Sequence, residues 1–464
     1  MTTPSCPTPA DDDSAWLSQA KLFARLIPKD QIEQRAPCPE QTFYTPHLVL
    51  HLMLFQKLNQ NATLDQAVSQ LDQHFPRSLW PHCKRAQDGH VSVHTGGYSQ
   101  ARTRLASDLV HWATQYTYDT LVGTYAPSYY GRRVFLIDGT TATLPPTPAL
   151  REAYPPATNQ HGTSAWPIML MVTAFELASG LAAPPETGPM YGPAPTSELD
   201  LATKVLDHLP SDAIVVGDRN FGVFTFAYEA MHRGHQPVVR LTGVRFRSLQ
   251  AKARPVGNGR WQLDWRSSRE DRRNHRDLPA DACVSGWLVS HRVSETESLY
   301  LFSPIDASPE ALAEVYGHRW GAETNIGEFK GRFQAESIRC RSKPMVEKEL
   351  LVTVMGYNLT VQVRRLAAQR AGVEPRRLSF TGVWWLVVTF LQTATEETED
   401  RTLEERFDRL LEAAGQKKLP NRKRKRSYPR TAYVKRNKFP LRKGPTDHEM
   451  QEQTPPEILS DIER

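Results

Sequence analysis

The spacing of apolar residues changes near residue 125, and this change divides the chain. Before it, apolar residues recur every three or four positions, which is typical of amphipathic helices. Helices are predicted over residues 16–27, 46–58, 64–75 and 98–122, with a polar loop at 76–97. The first 125 residues are therefore predicted to be helical.

From residue 132 onward, short apolar strands alternate with helices. Strands are predicted at 133–138, 168–177, 213–218 and 237–242, and helices at 197–209, 222–234 and 344–369. Residues 243–308 interrupt this alternation with strand-like segments at 260–265, 286–293 and 298–303. This order is typical of an α/β domain that carries a β-rich insertion.

Two aspartates follow apolar strands, Asp138 in IDGTT and Asp218 in GDRNF. Ligands collect at the carboxyl ends of strands in an α/β sheet. If the two strands are neighbours, both carboxylates point to the same place. Each aspartate taken alone fits a turn or a helix cap equally well.

A third carboxylate lies in the segment 311–342, which is predicted to be one helix. Arg319, Glu323 and Lys330 follow Tyr316 by three, seven and fourteen residues. At 100° per residue these offsets fall at about −60°, −20° and −40°, so all four side chains share one stripe. Five apolar residues beside the stripe can form the buried face: Val315, Ala322, Ile326, Phe329 and Phe333. The alternative is a solvated helix with an Arg319–Glu323 pair.

The three carboxylates have no histidine or cysteine partner, so they form an oxygen-only donor set. Such a set suits Mg²⁺ or Mn²⁺. It can hold two ions roughly 3.5–4 Å apart for an in-line phosphoryl displacement. Arg319 offers a planar fork and Lys330 a point charge for phosphate, and Tyr316 offers a hydroxyl.

The net charge of +6 comes from one segment near the C-terminus. Residues 417–443 contain 13 Lys and Arg and no acids, and the rest of the chain carries 44 basic and 51 acidic residues. Tyrosines and a phenylalanine interrupt the basic run, which favours nucleic-acid contact over a solubilising tail. Arg422, Arg424 and Lys425 are predicted to bind DNA phosphates.

Other classes of protein are disfavoured by composition. No apolar run is long enough to span a bilayer, and no secretory signal is recognisable at the N-terminus. The five cysteines are scattered and contain no CxxC pair, which argues against disulfides and structural zinc. A cytoplasmic protein is expected.

The chain resembles the DDE transposases of the insertion-sequence-four family, in the YREK group of hairpin-forming cut-and-paste enzymes. The residues that carry the resemblance are DGT at 138–140, GDRNF at 217–221, and Tyr316, Arg319, Glu323 and Lys330. The segments 339–359 and 427–443 are also similar to that family, and the likeness covers roughly residues 10–443.

The resemblance implies an RNase H-like catalytic core with a β-rich insertion. The implied domains are a helical N-terminal domain at 1–125 for DNA binding or dimerisation, a catalytic domain at 126–395 with the insertion at 243–308, and a C-terminal helix and basic tail at 396–464. A purely structural role for the first domain has nearly equal support.

The resemblance also implies the reaction. Metal-activated water nicks each transposon end, the freed 3′-OH attacks the opposite strand to form a hairpin, and the reopened end joins target DNA. A tryptophan of the insertion stacks on a flipped base. We assign this stacking role to Trp287. Trp261 and Trp265 are alternative candidates for the same role, and packing in the hydrophobic core is the alternative for each of the three. Trp320 is expected to pack or to contact the backbone.

The partners implied are double-stranded DNA, as terminal inverted repeats and target, and a second copy in a homodimeric synaptic complex at a bacterial nucleoid. Two alternatives stay open. One is a catalytically silent end-binding protein or inhibitor, and the other is a host nuclease of the same fold.

Overall fold

The computed structural model describes residues 28–74, 81, 83–89, 92, 94–124, 129–160, 162–295, 297–335, 338–393 and 400–420. The described residues up to Leu419 belong to one compact unit. The helix predicted at 16–27 and the basic residues Arg422, Arg424 and Lys425 lie outside the described residues.

The helical character of the N-terminal region is confirmed over its described part. Its helices are α1 (Lys29–Arg35), α2 (Pro46–Leu58), α3 (Leu64–His74), α4 (Lys84–Gln87), α5 (Gly96–Arg104) and α6 (Ser107–Val122). Helix α2 begins where the sequence predicts, because Pro46 suits the first helical position and the Thr45 hydroxyl accepts the Leu48 N–H.

The prediction of one continuous helix over 98–122 is wrong. Leu105 and Ala106 adopt ψ of 124° and 132°, which separates α5 from α6. The carbonyl groups that this break leaves without helical partners are satisfied by a buried lysine. Lys348 Nζ donates to the carbonyls of Arg102, Thr103 and Leu105 at 2.9, 3.1 and 2.9 Å.

A mixed ten-stranded sheet forms the centre of the molecule. Its strands are β1 (Val134–Thr143), β2 (Pro156–Asn159), β3 (Gly162–Glu176), β4 (Glu186–Pro189), β5 (Ile214–Gly217), β6 (Gln236–Arg240), β7 (Arg254–Gly257), β8 (Arg260–Arg266), β9 (Cys283–Arg292) and β10 (Ser298–Ser303). The spatial order is β2-β3-β1-β5-β6-β10-β9-β8-β7, with β4 beside β3. Strands β1, β5 and β6 run parallel, and the other pairs are antiparallel. The predicted α/β class is confirmed, and this sheet fits an RNase H-like fold.

The segment 243–308 extends this central sheet. Strand β10 pairs antiparallel with β6, so that Leu301 lies opposite Arg240, and β9, β8 and β7 follow outward. Helices α10 (Gly243–Gln250) and α11 (Arg269–Asn274) belong to the same segment. Its predicted β-rich character is confirmed, and the added strands form one continuous sheet with the α/β part.

The remaining helices cover the sheet and build the C-terminal half. They are α7 (Pro148–Ala153), α8 (Glu198–Val205), α9 (Phe224–His232), α12 (Pro309–Gly317), α13 (Trp320–Phe333), α14 (Lys343–Arg370), α15 (Phe380–Thr393) and α16 (Asp400–Gly415). Short 3₁₀ turns lie at Leu206–His208 and Pro375–Arg377. No helix in the described ranges is both long and apolar enough to cross a bilayer.

Alternating residues of the parallel strands enter two separate hydrophobic clusters. Phe135, Ile137 and Val215 belong to the larger cluster, whereas the even-numbered neighbours Leu136 and Val216 belong to a smaller one. The smaller cluster also contains Val315 and Tyr316 of α12. Because strand side chains alternate between faces, the even-numbered positions of β1 and β5 face α12 and α13.

Helix α14 connects the N-terminal helices to the rest of the molecule. The side chains of Lys57 in α2 and Glu349 in α14 form an ion pair and are only 5% and 7% exposed. Lys57 Nζ also donates to Asn61 Oδ1 at 2.6 Å. Burial alone would raise the pKa of Glu349, but Lys57 holds that pKa below its usual value.

We predict that Glu349→Ala lowers the free energy of unfolding by about 3–5 kcal/mol, because it leaves the buried Lys57 ammonium without its counter-charge. Urea unfolding followed by circular dichroism measures the change. The matched control is Glu33→Ala, which removes an exposed partner 3.8 Å from Lys29 and should shift stability by no more than about 0.5 kcal/mol. Equal effects of the two substitutions would contradict the prediction.

Candidate active site

The parallel pairing of β1 with β5 brings the two aspartates together. Val134 lies opposite Ile214 and Leu136 opposite Val216. Continuing this register places Asp138 beside Asp218, both on the face that α12 and α13 cover. Both side chains are partly exposed. The expectation that the two strands are neighbours is confirmed.

The sequence suggested that Asp138 lies at the end of its strand, and this prediction is wrong. Strand β1 continues to Thr143, because it pairs antiparallel with β3 from Phe135↔Glu176 to Thr143↔Ile168. Asp218 does follow the last residue of β5, Gly217. The Asn220 N–H donates to Asp218 Oδ1 at 2.7 Å and holds this turn.

The prediction of one helix over 311–342 is wrong. Helix α12 ends at Gly317 and α13 begins at Trp320 and ends at Phe333. Between them, the N–H groups of Arg319 and Ala322 donate three residues back, to Tyr316 and Arg319, at 2.9 Å each. These short-range bonds tighten the turn. The His318 ring also hydrogen-bonds the Tyr129 hydroxyl at 2.8 Å, which ties the turn to the start of the sheet.

Despite this break, Arg319 and Glu323 lie within electrostatic reach of Asp138, and Tyr316 lies within electrostatic reach of Asp218. Lys330 Nζ donates to Thr140 Oγ1 at 2.9 Å, two residues beyond Asp138 on β1. Tyr316 is 8% exposed, and its hydroxyl pairs with Arg240 at the end of β6. Val315, Ala322, Phe329 and Phe333 form the predicted buried face, and Ile326 is partly buried.

Glu323 lies within electrostatic reach of Asp138. Burial raises the pKa of Asp138, and the negative charges of Asp218 and Glu323 raise it further, while the Gly139 N–H and Arg319 oppose this. Glu323 is itself paired with Arg319, whose Nη2 lies 3.1 Å from Glu323 Oε1. The Glu323 side chain is 47% exposed.

The three carboxylates have the chemistry of a hard-cation site. All donors are oxygen atoms, and a divalent cation would relieve the like-charge repulsion that raises the Asp138 pKa. Within the described ranges, no three acidic, histidine or cysteine side chains are already close enough to hold an ion.

A fourth carboxylate at the site, Glu198, was missed by the sequence analysis. It is the first residue of α8. Ser197 and Asp200 form a reciprocal capping box at the N-terminus of this helix. Burial raises the pKa of Glu198, and the charges of Asp138 and Asp218 raise it further. The available signal was the glycine directly after Asp138, which leaves room for another group beside the aspartate.

The tryptophans of the insertion occupy different environments. Trp265 is 5% exposed and packs on Phe302, so it is a core residue. Trp261 packs edge-on against Phe246 with ring centroids 5.5 Å apart. Trp287 is partly buried beside the cluster that contains Tyr316, and the Arg260 guanidinium lies 4.2 Å from its ring centre.

Trp320 does not have the first of its two expected roles, packing in the core, because it is 65% exposed at the start of α13. Contact with the backbone stays a prediction for this residue. The Arg319 guanidinium carbon lies 5.1 Å from its ring centre.

Residues 129–359 match the family described as the transposase DDE domain. This match supports a transposase function, which cleaves DNA by phosphoryl transfer. The matched region spans all the strands of the sheet and extends into α14, so it includes both aspartates, Glu323 and Lys330. A search of curated proteins found no match to the chain.

Close packing at Gly222 generates a prediction about the turn that carries Asp218. A Cβ on Gly222 would lie 1.9 Å from the backbone oxygen of Arg240 in β6. Gly222→Ala should therefore push the 218–222 turn away from β6 and lower the free energy of unfolding by roughly 1–3 kcal/mol.

The control is Gly327→Ala, in the exposed middle of α13, where nothing lies within 4 Å of the added carbon. This change should stabilise the protein by about 0.5–1 kcal/mol, because alanine loses less backbone entropy in a helix. Thermal unfolding of both variants tests the pair. Similar melting temperatures would show that Gly222 is not sterically required.

Proposed function

We propose that this chain is a cut-and-paste DNA transposase of the insertion-sequence-four, YREK type. The observation that carries the proposal is the position of Asp138 on β1 beside Asp218, which directly follows the adjacent parallel strand β5, within the region that matches a transposase DDE domain. Glu323 lies within electrostatic reach of Asp138. Asp138, Asp218 and Glu323 are the proposed catalytic and metal-binding residues.

Domains of this family generally depend on a divalent metal, and we propose Mg²⁺ or Mn²⁺, bound as two ions. Bound metal would activate the attacking oxygen and stabilise the leaving one. Asp138 would supply a carboxylate ligand from strand β1, and Asp218 would supply one from the turn directly after β5. Glu323 supplies a third carboxylate from the first turn of α13.

Tyr316, Arg319 and Lys330 are proposed to hold the DNA backbone beside these carboxylates. Lys330 is anchored on Thr140 of β1, which positions its ammonium two residues from Asp138. The Arg319 guanidinium suits bidentate contact with a phosphate. A bound phosphate would compete with Glu323 for Arg319, so DNA binding would weaken the ion pair between them.

The proposed reaction nicks each transposon end, forms and reopens a hairpin, and joins the 3′-OH to target DNA. Two ends must be cut and joined together, so we propose a homodimer in a synaptic complex on terminal inverted repeats. Arg422, Arg424 and Lys425 would add phosphate contacts from the basic tail. The proposed place of action is a bacterial nucleoid in the cytoplasm.

We predict that Glu323→Gln abolishes metal-dependent nicking of DNA carrying the element's own terminal repeats. The loss should be at least about a hundredfold, because removal of a metal ligand's charge weakens both metal binding and catalysis. Labelled DNA is incubated with wild type or variant, in Mg²⁺ or in EDTA, and the products are separated on denaturing gels. A parallel binding assay should show that Glu323→Gln still binds the DNA.

Glu314→Gln is the matched control, since it removes an exposed carboxylate from the neighbouring helix α12 and should cut normally. Tight DNA binding without cleavage by the wild type would instead favour a catalytically silent end-binding protein. Nicking without hairpin formation or joining would favour a nuclease.

We predict that Trp287→Ala nicks DNA at the wild-type rate but forms hairpins at least about tenfold more slowly. The reason is the loss of stacking on a flipped base, worth roughly 1–3 kcal/mol. Trp261→Ala is the control, because that ring packs on Phe246. Time courses that separate nicked from hairpin products measure both steps. Hairpin formation by Trp287→Ala at the wild-type rate would remove Trp287 from the mechanism.

A further inference from the structure

The Glu198 side chain lies directly against the backbone beside Asp138. An added Cβ on Gly139 would be 2.0 Å from Glu198 Oε1 and 2.8 Å from its carboxyl carbon. Only a glycine at position 139 leaves room for this contact. Because strand residues alternate between faces, Glu198 approaches Gly139 from the face opposite to the Asp138 side chain.

Glu198 is also linked to the turn that carries Asp218. Asn220 Nδ2 donates to Glu198 Oε2 at 3.4 Å, and the Asn220 backbone N–H donates to Asp218 Oδ1 at 2.7 Å. One asparagine therefore joins the Glu198 carboxylate to the Asp218 carboxylate. Glu198 thus contacts the backbone beside the first aspartate and, through Asn220, the side chain of the second.

The position of Glu198 is set by its helix. The capping box of Ser197 and Asp200 determines where α8 begins, and Leu201, Ala202 and Val205 are all 0% exposed against the sheet. The carboxylate cannot leave Gly139 without moving a packed helix or adopting another rotamer. A rigid element is what a site needs to hold its ligands in place.

Removing a carboxylate from water costs free energy, and this cost is offset by hydrogen bonds or by a paired cation. Across the ranges that the structure describes, no lysine, arginine or histidine lies within ion-pair distance of Glu198. The charges that act on Glu198 are instead those of Asp138 and Asp218, which are also negative. Such an arrangement is unfavourable by itself and becomes favourable when a cation is bound to the aspartates.

We propose that Glu198 is a positioning residue of the DDE site, which holds the Asp138 backbone and the Asp218 turn in register and whose negative charge strengthens the binding of a divalent cation. This inference rests on the proposed function, because it concerns the metal that Asp138 and Asp218 would hold. Glu198 acts through these two aspartates and through the field of its charge.

The test is calorimetric titration of Mn²⁺ into the full chain, with wild type, Glu198→Gln and Glu229→Gln compared. Glu198→Gln keeps the shape of the side chain and removes its charge, and it should weaken Mn²⁺ binding by roughly tenfold to a hundredfold. Glu229→Gln is matched in chemistry, since Glu229 is also partly buried but pairs with Arg233, and it should leave Mn²⁺ affinity unchanged.

Thermal unfolding without metal separates positioning from a structural role. If Glu198 positions the aspartates, Glu198→Gln should melt at or above the wild-type temperature, because a repulsive charge is removed. A lowered melting temperature with unchanged Mn²⁺ affinity would overturn the proposal. Asn220→Ala provides a second variant at an exposed residue, and it should weaken Mn²⁺ binding in the same direction by a smaller factor.

Asp138→Asn distinguishes this inference from the proposed function. Loss of Mn²⁺ binding in Asp138→Asn, together with wild-type affinity in Glu198→Gln and Asn220→Ala, would refute the role of Glu198 and leave the DDE site intact. Absence of Mn²⁺ binding by the wild type would refute the metal site, and the role of Glu198 with it.

Discussion

The parallel pairing of β1 with β5 is the constraint on which the rest of the site depends. Asp138 and Asp218 share a face only because Leu136 lies opposite Val216. A shift of one residue in this register would turn Asp218 to the other side of the sheet. Apolar side chains on both faces of these strands hold the register, since a slip would expose them and bury polar neighbours.

Four carboxylates lie near the point where the pairing of β1 with β5 ends, and nearby cationic side chains neutralise only part of their negative charge. Asp218, Glu198 and Glu323 each lie within electrostatic reach of Asp138, while Arg319 is paired with Glu323 and Lys330 is bonded to Thr140. Such a site is costly to fold without a cation, because like charges in a partly buried space raise one another's pKa. This unfavourable repulsion supports the proposal that the site binds a divalent metal and a DNA phosphate.

Much of the site could be predicted from sequence because its parts are local. Two short patterns predicted these parts: an apolar strand followed by aspartate, and a helical segment with Tyr, Arg, Glu and Lys at fixed spacing. Tertiary packing did not change which residues they bring to the site. Glu198 could not be predicted, since Gly139 indicates only that another group packs beside Asp138. Which group packs there is decided by a contact between residues far apart in the sequence. Three points stay predictions: the domain boundary at residue 125, the stacking role of Trp287 and DNA binding by the basic tail.

The sequence by itself determined seven of the ten strands, the start of α2, the long helix α14 and the residue types of the site, because these follow from apolar periodicity and capping within a few residues. The short strands β2, β4 and β7 were not predicted. Only the tertiary structure decided where long helical patterns break. The break at Leu105 and Ala106 is stabilised by Lys348, and the turn at His318 and Arg319 is tied to Tyr129. Both partners are remote in the chain, so local periodicity carries no information about them.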